Sequence, residues 1–221
     1  MIHTLSVGPI GENVYIIENR GEPVIVVDPG AEASRILEAT LLSYERSGAK
    51  SVAIMLTHGH LDHVAALQGL IEGLASVGIP TRSYAPEADR HYFGQTAKET
   101  NERVFASIQA LAFFKKHWTA IPEADEYYGD GFSLPGADLK VIHTPGHTRG
   151  SSCFLVEKGS SLISGDTLFR DGRGRTDNED ADETTIIHSV RERLCTLHDA
   201  VRVWPGHGEQ TTIGREKPYY I

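Results

Sequence analysis

The chain has 221 residues, 40% of them hydrophobic and 23% charged, a composition that can bury a substantial core without disulfides. A formal net charge of −9 repels nucleic acid and anionic membrane surfaces at long range, so neither is an expected partner. No apolar run approaches the ~20 residues of a membrane-spanning helix, and the opening "MIHTLSVGPI" has neither the basic nor the apolar region of a signal peptide.

In chain order, "IHTLSV", "NVYIIE" and "PVIVVD" read as strands separated by turns rich in glycine and asparagine, the last closing on an Asp-Pro-Gly turn. Residues 32–46 space their apolar side chains by three and four, which predicts an amphipathic helix stopped by Gly48. "SVAIML" is a short apolar run of the kind buried strands show, and a helix is expected from near Asp62 through "VAALQGLIEGL". "PTRSYA" reads as a further strand. Residues 90–118 are polar and helix-prone, with "VFASIQALAFF" as their apolar face, which predicts a helical insertion around 85–120. "LKVIHTPG", "SSCFLVE" and "SLISGD" are strands, "ADETTIIHSVRERLCTL" a helix, and "VRVWPGHG" a last strand and loop. Strands in runs with helices at intervals predict an α/β fold of two sheets packed face to face with helices outside, a single domain over residues 1–221. Cys153 and Cys195 match no metal or redox spacing and read as reduced, buried side chains, which places the protein in the cytoplasm as an expectation.

"THGHLDH", residues 57–63, follows directly on the apolar run. His58 and His60 then sit in the loop at a strand's C-terminal end, where α/β proteins assemble sites, and Asp62 and His63 open the next helix. Three later loops repeat the layout: His147 follows a Pro-Gly turn, Asp166 ends "SLISGD", and His207 ends "VRVWPGH". Any one of these has an ordinary reading as a turn or solvated residue. Together they are five histidines and two aspartates at strand ends, enough for two metal ions with a carboxylate between them. His3, His91, His117, His143, His188 and His198 read as structural or solvated.

The chain resembles the metallo-β-lactamase-fold hydrolases, and among them the short, single-domain bacterial glyoxalase II-like (hydroxyacylglutathione hydrolase-like) enzymes. "THGHLDH" matches the T-H-x-H-x-D-H signature, and "HTPGHTRGS", "SGDTLF" and "PGHG" match the remaining metal motifs in order. The resemblance implies an αββα sandwich of two mixed β-sheets with helices on the outer faces. It also implies His58, His60 and His147 on one ion, Asp62, His63 and His207 on the second, and Asp166 as the bridge. Zinc is the first expectation, with iron or manganese compatible with the same donors. Aspartate and not cysteine at 166 argues against a true β-lactamase. The helical C-terminal domain of the larger glyoxalase II enzymes has no counterpart after His207.

Two ions sharing a water lower its pKa to about 7, giving a hydroxide that attacks a carbonyl carbon, with Asp62 and Asp166 as the catalytic carboxylates. A thiolate leaves without a strong general acid, so the expected substrate is a small acyl-thiol such as S-lactoylglutathione. The alternatives are a lactone or ester hydrolase of the same fold, and a persulfide dioxygenase using one iron. Arg170, Arg173 and Arg175 stand out after the bridging aspartate as candidates for gripping substrate carboxylates. Arg175 is the first choice, because the resemblance places it where glyoxalase II enzymes keep a glutathione-contacting lysine. The sequence leaves the oligomeric state open.

Overall fold

Val24–Val27 (β3) and Val52–Met55 (β4) are buried at every position, and the period-2 alternation of a strand sends their side chains into two different cores. Val24, Val26, Val52 and Ile54 join a cluster under the helices on one face, while Ile25, Val27, Ala53 and Met55 face a second cluster between the sheets. A computed structural model describing residues 1–221 shows how this works for the whole chain.

The first sheet runs in order β1 (Ile2–Val7), β2 (Glu12–Ile17), β3, β4, β5 (Thr81–Pro86) and β6 (Glu126–Tyr128). Its first three strands pair antiparallel and the rest parallel. The second sheet is ordered β13 (Thr211–Thr212), β12 (Arg202–Pro205), β9 (Ser161–Gly165), β8 (Ser152–Val156) and β7 (Leu139–His143), with β12 and β9 parallel. Tyr15, Tyr128, Phe154, Ile163 and Trp204 fill the space between the two sheets. Helices α1 (Ala33–Ser47) and α3 (Leu67–Ser76) cover the first sheet. On the second sheet, α6 (Glu183–Ser189) continues as one π-helical turn, Val190–Leu194, whose Val190 and Leu194 pack on Cys153, Leu162 and Val203. This is the αββα sandwich of two mixed sheets.

Most of the expected elements stand where the residue pattern puts them, with departures. The helix expected from Asp62 is two helices, α2 (Leu61–Val64) and α3, because the Ala66 amide donates to Pro29 O at 2.9 Å. Residues 87–117 hold two 3-10 turns, Glu87–Tyr92 and Gly94–Thr96, and helices α4 (Ala97–Ser107) and α5 (Leu111–His117). Strand β6 carries no signal of its own, being three residues long and held only by parallel pairing with β5.

Cross-sheet contacts gather the loops that matter at one end of the sandwich. The Asn13 amide donates to Gly206 O at 2.8 Å, its side-chain amide donates to Pro205 O and Gly208 O at 3.0 Å each, and the Tyr15 hydroxyl donates to Pro205 O at 2.6 Å. The Ser152 amide donates to Thr57 O at 3.0 Å. Each bond ties the first sheet, or the loop that follows one of its strands, to the second.

Candidate metal centre

Extended backbone after β4 places His58 and His60 two residues apart, and α2 begins at Leu61, so Asp62 and His63 fall in its only turn. His147 lies on the β7–β8 loop, Asp166 directly after β9, and His207 directly after β12. All seven predicted residues meet at one place. The ligand atoms of His58, His60 and His147 lie within 4.8 Å of one another, and so do those of Asp62, His63 and His207. Asp166 stands between the groups, with Oδ1 3.4 Å from His63 Nε2 and Oδ2 3.5 Å from His147 Nε2 and 3.8 Å from His207 Nε2. Asp62 Oδ2 is 3.3 Å from His207 Nε2 and 3.5 Å from His63 Nε2.

The protonation pattern can be worked out from the partners. His147 Nδ1 is 2.8 Å from Arg175 O, a carbonyl that only accepts, so Nδ1 carries the proton. His63 Nδ1 donates in the same way to Asp28 Oδ2 at 3.0 Å. The Thr57 hydroxyl gives its hydrogen to Asp28 Oδ2 at 2.6 Å, which leaves His58 Nδ1, 3.0 Å from Thr57 Oγ1, as the donor of that pair. In each case Nε2 is the ring nitrogen turned to the shared space, the atom a metal would take. The Nε2 atoms of His58, His60, His63 and His147 and Oδ1 of Asp166 are buried with no hydrogen-bond partner. Buried polar atoms are nearly always paired, so five orphans aimed at one point fit a cation, and imidazole and carboxylate are the donors a divalent metal takes.

Charge divides the two groups. Burial and the neighbouring imidazoles His63, His60 and His147 hold His58 far below the ordinary histidine range, and burial with His147 brings His60 down to about 3. Burial also works to lower His63 and His207, but the carboxylates Asp166 and Asp62 outweigh it and raise both. Burial works to raise Asp62 and Asp166. The facing imidazoles, His63 first, outweigh it, lowering Asp62 strongly and Asp166 to about 2.

Two supporting carboxylates were not singled out by sequence reasoning. Asp28 reads as part of a turn, yet it is 2% exposed and also accepts from the Thr57 amide at 2.7 Å, so it orients His63 directly and His58 through Thr57. Its φ of +52° is a left-handed conformation that aspartate tolerates better than most residues. Asp89, fully buried in the 3-10 turn after β5, accepts from the Gly59 amide at 3.0 Å, the Thr148 hydroxyl at 2.8 Å and the Gly150 amide at 2.6 Å. It thereby ties the His58–His60 loop to the His147 loop. A fully buried aspartate in contact with two ligand loops leaves no local trace in sequence.

The three arginines separate. Only Arg175 lines the cavity that opens on the site. Arg170 is engaged by Glu209 and Arg173 by Glu183. The α4–α5 segment serves two purposes: Val104, Phe105 and Phe114 belong to the core, while Val104, Phe105, Ile108 and Phe113 also wall the cavity.

The model of the Metallo-beta-lactamase superfamily matches residues 7–207. The chain belongs to this superfamily. It is 31% identical to the hydroxyacylglutathione hydrolase GloC of Haemophilus influenzae, over 98% of this chain and 94% of that one. Among solved structures of the superfamily fold, the BLEG-1 B3 metallo-beta-lactamase superposes with a TM-score of 0.80 at 28% identity, covering 100% of this chain and 98% of that chain. TTHA1623, solved in a di-iron-bound form, superposes with a TM-score of 0.74 at 33% identity, covering 97% of this chain and 96% of that chain. No helix of this superfamily member is long and apolar enough to cross a membrane.

Proposed function

We propose that the protein is a binuclear metallohydrolase that cleaves a thioester, in the manner of the hydroxyacylglutathione hydrolases. The observation that carries this reading is the pair of complete donor groups, His58/His60/His147 and Asp62/His63/His207, with Asp166 between them, its Oδ1 near His63 and its Oδ2 near both His147 and His207. The similarity to GloC, along nearly the full length of both chains, supports it. Two divalent ions held there would supply Lewis acidity and lower the pKa of a shared water to about 7.

The chain's own residues do the rest. Asp28 and Thr57 fix the ring planes of His63 and His58, so the site is organised before substrate arrives. Asp62, 16% exposed at its side chain and held ionised, faces the cavity as the acceptor for the proton of an attacking water. A thiolate departs without a strong general acid, so the reading asks for none. The second donor group supports two ions over a persulfide dioxygenase built on one iron.

Elemental analysis of the purified protein, run beside assays with S-lactoylglutathione and glutathione persulfide, tests the reading. The expected result is two ions per chain and thiol release without oxygen uptake. One iron per chain with oxygen consumed would overturn it.

A further inference from the structure

The cavity beside the candidate metal centre encloses about 330 Å³, and its walls differ in kind. One is apolar, built from Val104 and Phe105 of α4, Ile108, Phe113 of α5, and, across the opening, Ile10 and Phe169. Phe105 and Phe113 stack with ring centroids 5.7 Å apart and planes 6° from parallel, which makes them a paired aromatic element of this lining. The polar lining is Arg175, Asp177 and Asn178, together with His60, Asp62, His147, Asp166 and His207 of the candidate metal centre.

Arg175 is the lining's one guanidinium, and Asp177 already holds it through two bonds of 2.9 and 2.7 Å. Asp177 lines the same cavity, so the pair adds no net charge. A glutathione thioester brings two carboxylates. Drawing either to Arg175 would set it against Asp177, a like-charge contact in a molecule of net charge −9. The lining thus offers an aliphatic group several apolar side chains, while its one guanidinium is already paired.

Resting on the thioesterase reading above, we propose that the preferred substrate is a thioester of a straight, apolar acyl chain, with the chain laid on the Phe105–Phe113 wall. Water adds to the carbonyl carbon and the C–S bond breaks. The thiolate leaves with the electron pair and takes one proton of the water. The carboxylate product releases the other to solvent. A second cavity of about 240 Å³ shares Ile10, Asp62 and Phe113 with the first and is otherwise lined largely by small residues, among them Ala31, Ala65 and Ala66. Phe113 lines both cavities and so sets how far a chain can extend.

The test uses the metal-loaded protein and a series of straight-chain acyl thioesters of one neutral thiol, N-acetylcysteamine, with S-lactoylglutathione as comparator. Each methylene laid on the wall should raise kcat/KM by about fourfold until the cavity is full, and the best of the series should exceed S-lactoylglutathione. Phe113→Ala should move the optimum to longer chains, whereas a merely destabilised protein would lose activity in proportion for every chain length. A flat series, or S-lactoylglutathione as the best substrate, would overturn the acyl-chain proposal and leave the thioesterase reading standing. No thiol release from any member would bring down both.

Discussion

A carboxylate that touches no substrate organises much of the candidate site. Asp28 receives the Thr57 amide, the Thr57 hydroxyl and the His63 ring, and through Thr57 it reaches His58 in the other donor group. Asn at this position keeps the backbone, since it too tolerates the left-handed conformation, but it removes the charge that fixes both rings. Asp28→Asn should therefore weaken metal binding about 10- to 100-fold, measured by chelator competition; unchanged affinity would show that the rings need no such support. The cysteines make a contrasting prediction. Cys153 is fully buried beside Thr144 and Ser164, and burial pushes its thiol up to about 11. Native protein should resist iodoacetamide at neutral pH at this thiol and react there only when unfolded, as read by mass spectrometry.

Among the elements, the short turn after β5 does more than its six residues announce. It puts Asp89 between two ligand loops and packs the Tyr92 ring against Gly59. A Cβ at Gly59 would lie 2.3 Å from Tyr92 Cβ and 2.4 Å from its Cγ. Gly59 is thus required by the approach of a ring, and not by the freedom to turn that its place between two histidines suggests. Tyr92 is itself fully buried and donates to Asp180 at 3.2 Å, so it cannot easily yield. Gly59→Ala should cost about 1–3 kcal/mol by overpacking and lower metal occupancy with it, measured by thermal unfolding and metal content; an alanine variant as stable and as fully loaded as the parent would refute the account.

For the molecule as a whole, the two donor groups should part company as pH falls. Metal binding requires neutral imidazoles. His58 and His60 are already held neutral by burial, so an ion there displaces no proton from them near neutrality. His63 and His207 have raised values in the metal-free protein, so an ion there must compete with protons, and its affinity falls as pH drops from neutral. Dialysis in steps from about pH 8 to about pH 5 should release one ion well before the other, and His207→Ala should weaken the early-released ion at every pH while leaving the other in place; simultaneous loss of both ions would contradict the charge division.

By itself the sequence determined the layers and the candidate ligands. Unbroken apolar runs such as "VIVV" and "VAIM", three- and four-residue spacing in residues 32–46, and ligand-type side chains placed at the ends of apolar runs are local facts, written within a few residues of one another. Tertiary structure decided what depends on distant partners. Asp28 became the support of two histidines because β3 and β4 lie side by side. Asp89 became a clamp because the turn after β5 reaches the β7–β8 loop. Arg170 and Arg173 were drawn off by glutamates 39 and 10 residues away, while Arg175 kept a place in the cavity paired with Asp177. Short-range periodicity shows which way a side chain points; which charge it meets there is set by long-range packing.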